Sequence, residues 1–144
     1  MKYLEQLTAA GQAGDRATVR ARLSALWDEA ADDRQSRCAI AHYLADVQDD
    51  TEDELTWDLR ALEAADPADA MTAGMLPSLH LNLADDYRRL GETSKAEEHL
   101  GIARATLGVL GADAYGDLLR DAVEHVTAAL AAGSTARLET NPSS

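Results

Sequence analysis

Between Leu79 and Ala103 the chain reads LHLNLADDYRRLGETSKAEEHLGIA, which leaves little room for anything but two antiparallel helices joined by a tight turn. Ala84, Tyr87, Gly91, Ala96, Leu100 and Ala103 recur in steps of three, four, five, four and three. That is the spacing of one helix face carried through a hinge into a second helix. Gly91 stands where the first helix must stop. Glycine enters the left-handed conformation that ends a helix without the steric cost other residues meet. Ala84, Ala96 and Ala103 are small where two helix axes would cross, and Tyr87 and Leu100 fill the space between them.

This packing recipe resembles a tetratricopeptide repeat. His80 departs from the pattern where it often has Trp, and Gly108 where it often has Pro. Two upstream segments share the phase but not all the residue types. Leu7, Gly14, Val19, Leu23 and Leu26 align with Ala84, Gly91, Ala96, Leu100 and Ala103, a first pair over about residues 2–31. A second pair over about residues 34–66 carries Cys38, Ile40, Ala41, Tyr43, Leu44 and Val47, then Leu55, Leu59 and Leu62. Asp49-Asp50 replaces its hinge glycine, and Asp66-Pro67 closes it.

Local signals divide the chain further. Asp15 is the expected N-cap of the second helix, and Asp32 or Asp33 of the third. Thr51 and Glu54 read as a capping box for the fourth. Pro77 suits the first turn of a helix, so the fifth is expected to start near it, with a helical turn allowed before. The sixth, capped by Thr93 or Ser94, completes a third pair over about residues 77–109. A seventh, over about residues 113–131 with Leu118, Leu119, Val123, Val126 and Leu130, would cover the last pair. Residues 133–144 (GSTARLETNPSS) lose periodicity and read as a disordered tail. The expectation is a single all-α domain over residues 1–132: a right-handed α-solenoid of three helix-turn-helix pairs plus a capping helix.

Composition agrees with closely packed helices: 46% of residues are hydrophobic, none is Phe, and Pro numbers only 3. A net charge of −13 argues against nucleic acid and anionic membranes as partners. No apolar run approaches a membrane span or the core of a signal peptide, so a cytoplasmic protein is expected. Cys38 is the only cysteine, which rules out a disulfide within the chain.

The resemblance implies a concave groove that binds proteins or peptides, lined by the first helix of each pair. Carried over, its leading residues are Arg37, Ile40, Leu44, Val47, Ser78, Leu81, Asn82, Asp85, Arg88 and Arg89, with Leu4, Thr8, Gln12 and Gln48 beside them. Arg88 and Arg89 would receive an acidic group on the partner. A chaperone-tail clamp is not expected, because Leu4, Thr8, Ala41 and Ser78 replace its Lys/Asn set and only Asn82 agrees.

Catalytic and metal signals are sparse. His42 with Asp46 and Asp121 with His125 are i,i+4 pairs, the spacing of surface ion pairs as well as of metal ligands. His80 and His99 fall on consecutive helices of the third pair, at a separation the sequence does not fix. The acidic run from Asp49 to Glu54 lacks the spaced ligands and central Gly of a calcium loop and reads as a capped helix start. Cys38 reads as a buried thiol. Trp27 and Trp57 are expected to fill space between pairs, with an exposed aromatic homodimer surface as the alternative. The reading is a non-catalytic adaptor for a protein or peptide, without cofactor or metal. A sensor of a small peptide or metabolite comes second, and a small helical enzyme using His42/Asp46 or His80 third.

Overall fold

The computed structural model describes residues 2–138. All regular structure among them is helical: α1 (Leu4–Gly11), α2 (Arg16–Glu29), α3 (Arg34–Asp46), α4 (Thr51–Ala64), α5 (Ala70–Arg89), α6 (Thr93–Thr106) and α7 (Ala114–Ala131), with a 3₁₀ turn at Leu107–Val109. The chain divides into two compact units, Met1–Ala73 and Gly74–Ser144, where the sequence suggested one domain.

The cut falls inside α5, and proline chemistry marks the place. Pro77 lies within this helix instead of opening it. Proline brings no N–H and its ring crowds the carbonyl four residues back, which is that of Ala73. The earlier start is supplied by Asp66 and Asp69. The Asp69 carbonyl accepts from Ala73 N–H at 2.8 Å and its side chain from Met71 N–H at 3.1 Å. Thr72 Oγ1 donates to the Asp66 carbonyl at 2.7 Å and accepts from Asp66 N–H at 2.9 Å. The sequence expectation is a start near Pro77 with one helical turn allowed before it. The hydrogen bonds formed before it let the helix begin seven residues earlier.

In the first unit, aspartates start three helices. Asp15, Asp33 and Asp50 accept from Thr18, Ser36 and Glu52 N–H respectively. The expected Thr51–Glu54 capping box is not used: Thr51 is already helical, Asp50 is the cap, and Glu54 is buried. The core joins Leu7 and Ala10 of α1, Val19, Leu23 and Leu26 of α2, and Ile40 and Leu44 of α3. Trp27 and Trp57 meet edge to face, ring centres 5.2 Å apart, against this core.

In the second unit, Leu81 and Ala84 of α5 pack with Leu100 and Ala103 of α6 and with Leu119, Val123 and Val126 of α7. Gly91 has φ +77°. Its N–H donates to the Arg88 carbonyl at 3.1 Å and Glu92 N–H to the Tyr87 carbonyl at 2.8 Å, a double hydrogen bond that closes the helix end. α6 has no side-chain cap, contrary to the expectation for Thr93 or Ser94, because Glu92 holds the cap position. α7 is capped by Asp113, which accepts from Gly116 N–H at 2.8 Å. A Cβ on Gly116 would lie 2.4 Å from the Gly111 carbonyl oxygen, so this helix start tolerates only glycine there.

The segment after Gly133 is not free where it is described. The Ser134 and Ala136 carbonyls accept from Arg88, and Leu138 packs on the second core. Residues 139–144, the rest of the predicted tail, lie outside the described residues.

Candidate functional site

Most residues assigned to the groove are buried. Ile40 and Leu44 have no exposed surface and belong to the first core, and Leu81 belongs to the second. These positions carry Leu or Ile because they are core positions. Ser78 is buried with its hydroxyl donating to the Met75 carbonyl at 3.0 Å. Gln48 is buried with Nε2 donating to the Leu44 carbonyl at 3.0 Å. The amide of Asn82 is buried, and neither its oxygen nor its nitrogen has a hydrogen-bond partner among the described residues.

The two arginines expected to meet an acidic partner meet aspartates of their own helix. Arg88 is 2% exposed. Its Nε and Nη2 donate to Asp85 Oδ1 at 3.0 and 2.8 Å, and its guanidinium also reaches the Ser134 and Ala136 carbonyls at 2.8 and 2.9 Å. Arg89 donates to Asp85 Oδ2 at 3.0 Å and to Asp86 Oδ1 at 2.9 Å. Charged groups this far from water must be paired to persist, and these are. The signal was legible in DDYRR: acids three and four residues before basic residues share a helix face.

Of the ten leading groove residues, Arg37 and Val47 line open recesses, Val47 the one between the first three helices. That cavity, of about 390 Å³, lies between α1, α2 and α3. Leu4 and Thr8 line it from α1, Gln12 just beyond α1, Tyr43 and Asp46 from α3, and Val47 just beyond α3. Its lining is mainly apolar. Leu4 and Tyr43 are 55% and 50% exposed, so both present apolar surface at this recess. Sequence reasoning named Leu4, Thr8, Gln12 and Val47 for a groove but placed Tyr43 in the apolar face of its helix. α1 is only eight residues long.

The histidines separate into three situations. His42 Nδ1 is buried without a hydrogen-bond partner among the described residues, and burial pushes its pKa down to about 4. Asp121 and His125 are exposed and form no ion pair with each other among the described residues. His80 and His99 come together: their Nδ1 atoms are 3.1 Å apart, so one donates and the other accepts. The two rings stack at 5.3 Å, and Tyr87 stacks on His99 at 5.5 Å. Burial, and for His80 the charge on His99, lowers both pKa values. Cys38 is buried, and desolvation raises its thiol to about 11, which keeps it a thiol and a poor nucleophile.

No helix among the described residues is long and apolar enough to cross a membrane. The chain matches no protein-family profile, no curated protein and no solved structure.

Proposed function

We propose that this protein is a non-catalytic adaptor of tetratricopeptide-like helical pairs. In this reading it seats a peptide segment of its partner in the α1–α3 cavity. The observation that carries it is the cavity itself: a mainly apolar recess of about 390 Å³ on the first helices of two consecutive pairs. That is where the resemblance puts a groove. Leu4 and Tyr43 offer apolar anchors at its mouth, and Thr8, Gln12 and Asp46 offer polar contacts that would set direction.

The non-catalytic part rests on how the histidines are used. His80 and His99 spend Nδ1 on one another, and His42 sits in an apolar setting that keeps it neutral. The recess also has the volume of a small-ligand site, which supports a sensor of a short peptide or metabolite as the second reading. Selection of a displayed peptide library on the wild-type protein tests the adaptor. Enriched peptides should lose binding to a Leu4→Asp/Tyr43→Ala variant, whose changes sit at exposed positions. Equal binding by both proteins would remove the groove reading. A small molecule retained in native mass spectra and lost in the variant would favour the sensor.

A further inference from the structure

A second recess of about 390 Å³ lies in the first unit, at the C-terminal ends of α2 and α4 beside the start of α3. Three of the thirteen basic residues line it, Arg34, Arg37 and Arg60, together with Trp27. On a chain of net charge −13, that concentration is out of proportion. The carboxylates in its wall are Asp32 and Glu63, and Asp32 is paired with Lys2 at 3.2 Å.

The arginines do different work. Arg34 donates to the Glu63, Ala64 and Ala65 carbonyls at 3.2, 2.9 and 3.0 Å. It thereby offsets the negative end of α4, which would otherwise repel an anion. Arg37 lies over the Trp27 ring, its Cζ 3.9 Å from the ring centre, and donates from one nitrogen to the Trp27 carbonyl at 3.2 Å. Its Nε is buried with no hydrogen-bond partner among the described residues. Arg60 stacks on Trp57 at 4.4 Å, and among the described residues its guanidinium makes no hydrogen bond or ion pair. A cation held over an indole ring is partly placed before any ligand arrives, which lowers the freedom lost on binding. A buried donor without an acceptor is costly, and an incoming oxyanion removes that cost.

We propose that the Arg34–Arg37–Arg60 recess is an anion-binding site for a carboxylate or phosphoryl group, held by the free donors of Arg37 and Arg60. The site is separate from the α1–α3 cavity and does not depend on the adaptor reading. The oxyanion can come from a free anion or from an acidic peptide, and the two are distinguished by the probe.

The protein has two tryptophans, Trp27 and Trp57, and both carry one of these arginines, so intrinsic fluorescence reports on the site. The full chain is titrated with inorganic phosphate, citrate and an amidated hexaglutamate peptide, each against sodium chloride at matched ionic strength. A saturable fluorescence change with at least one probe is expected, weakened about tenfold by Arg60→Gln and removed by Arg37→Gln/Arg60→Gln. Response to phosphate or citrate identifies a free-anion site, and response to the peptide alone an acidic-segment site. Arg60→Gln is exposed and unbonded, so its circular dichroism should match wild type, and Arg104→Gln serves as a charge control. Absence of a saturable change with every probe, or equal affinity in Arg60→Gln, would overturn the proposal. Loss of peptide selection by the α1–α3 groove with this anion response intact would sink only the adaptor.

Discussion

The two units handle arginine in opposite ways. In the second, Arg88 and Arg89 are buried and neutralised by Asp85 and Asp86 on the same helix. In the first, the arginines reach across elements to backbone oxygens. Arg16 donates to the Gln48 carbonyl at 2.8 Å, Arg20 to the Val47 carbonyl at 2.9 and 3.0 Å, and Arg34 to three carbonyls at the end of α4. One unit uses guanidinium as a buried charge with its counter-charge built in. The other uses it as an exposed cap on helix C-termini, where the helix dipole favours a cation. Among the described residues, Arg60 of the first unit is exposed and makes no hydrogen bond or ion pair. A basic residue is a candidate for binding only after its own helix has been searched for its partner.

The contrast makes unequal predictions for the same chemical change. Arg88→Ala takes both hydrogen bonds from the buried Asp85 Oδ1, leaving Arg89 on Oδ2, and releases the segment after Gly133, a loss of roughly 3 kcal/mol. Arg34→Ala leaves carbonyls that water can reach, at about 1–2 kcal/mol. Urea unfolding of both variants measures the gap, and equal losses would abolish the distinction between the units.

Acid should act through the histidines. His42 has its pKa lowered in the folded state to about 4 by burial alone, so below its unfolded value near 6.5 the unfolded chain binds more protons. The stability it supports is complete above about pH 6.5, falls as pH drops through that value, and is gone below about pH 4. The total is up to roughly 3 kcal/mol. His80 and His99 shift in the same direction, so the second unit weakens over the same side of neutrality. Urea midpoints between pH 7.5 and 4.5 should fall for wild type and fall less for His42→Leu. An unchanged slope in that variant would assign the acid response to the His80–His99 pair.

Two glycines give the smallest effects and sharpen the account of the third pair. Gly91→Ala places a Cβ at φ +77° and should cost about 1 kcal/mol. Gly101 lies inside α6, and a Cβ added there would meet nothing within 4 Å. Gly101→Ala should therefore gain about 0.5–1 kcal/mol. Thermal unfolding of the two variants tests whether Gly91 is kept for its backbone alone. A gain in both would remove the hinge argument.

Sequence reasoning reached the helices and their order because periodicity and capping are local. Asp15, Asp33 and Gly91 act within a few residues of themselves, and each does what its neighbours imply. It failed at Pro77, where Asp66, Asp69 and Thr72 supply a helix start that a proline rule does not anticipate. It failed for the groove because position on a first helix does not say which side a neighbour covers. Ile40 and Leu44 turned into the core, while Tyr43 beside them stayed open.

The amino-acid sequence by itself determined an all-helical chain, the Gly91 turn and the small buried residues Ala84, Ala96 and Ala103 on either side of it. Each is a matter of backbone conformation or of side chains within one or two turns. Only the tertiary structure decided that His80 meets His99, that Arg88 holds the segment after Gly133, and that Arg34, Arg37 and Arg60 gather around Trp27. Those contacts join residues far apart in the chain. Their geometry is set by how several helices pack at once, which no local pattern encodes.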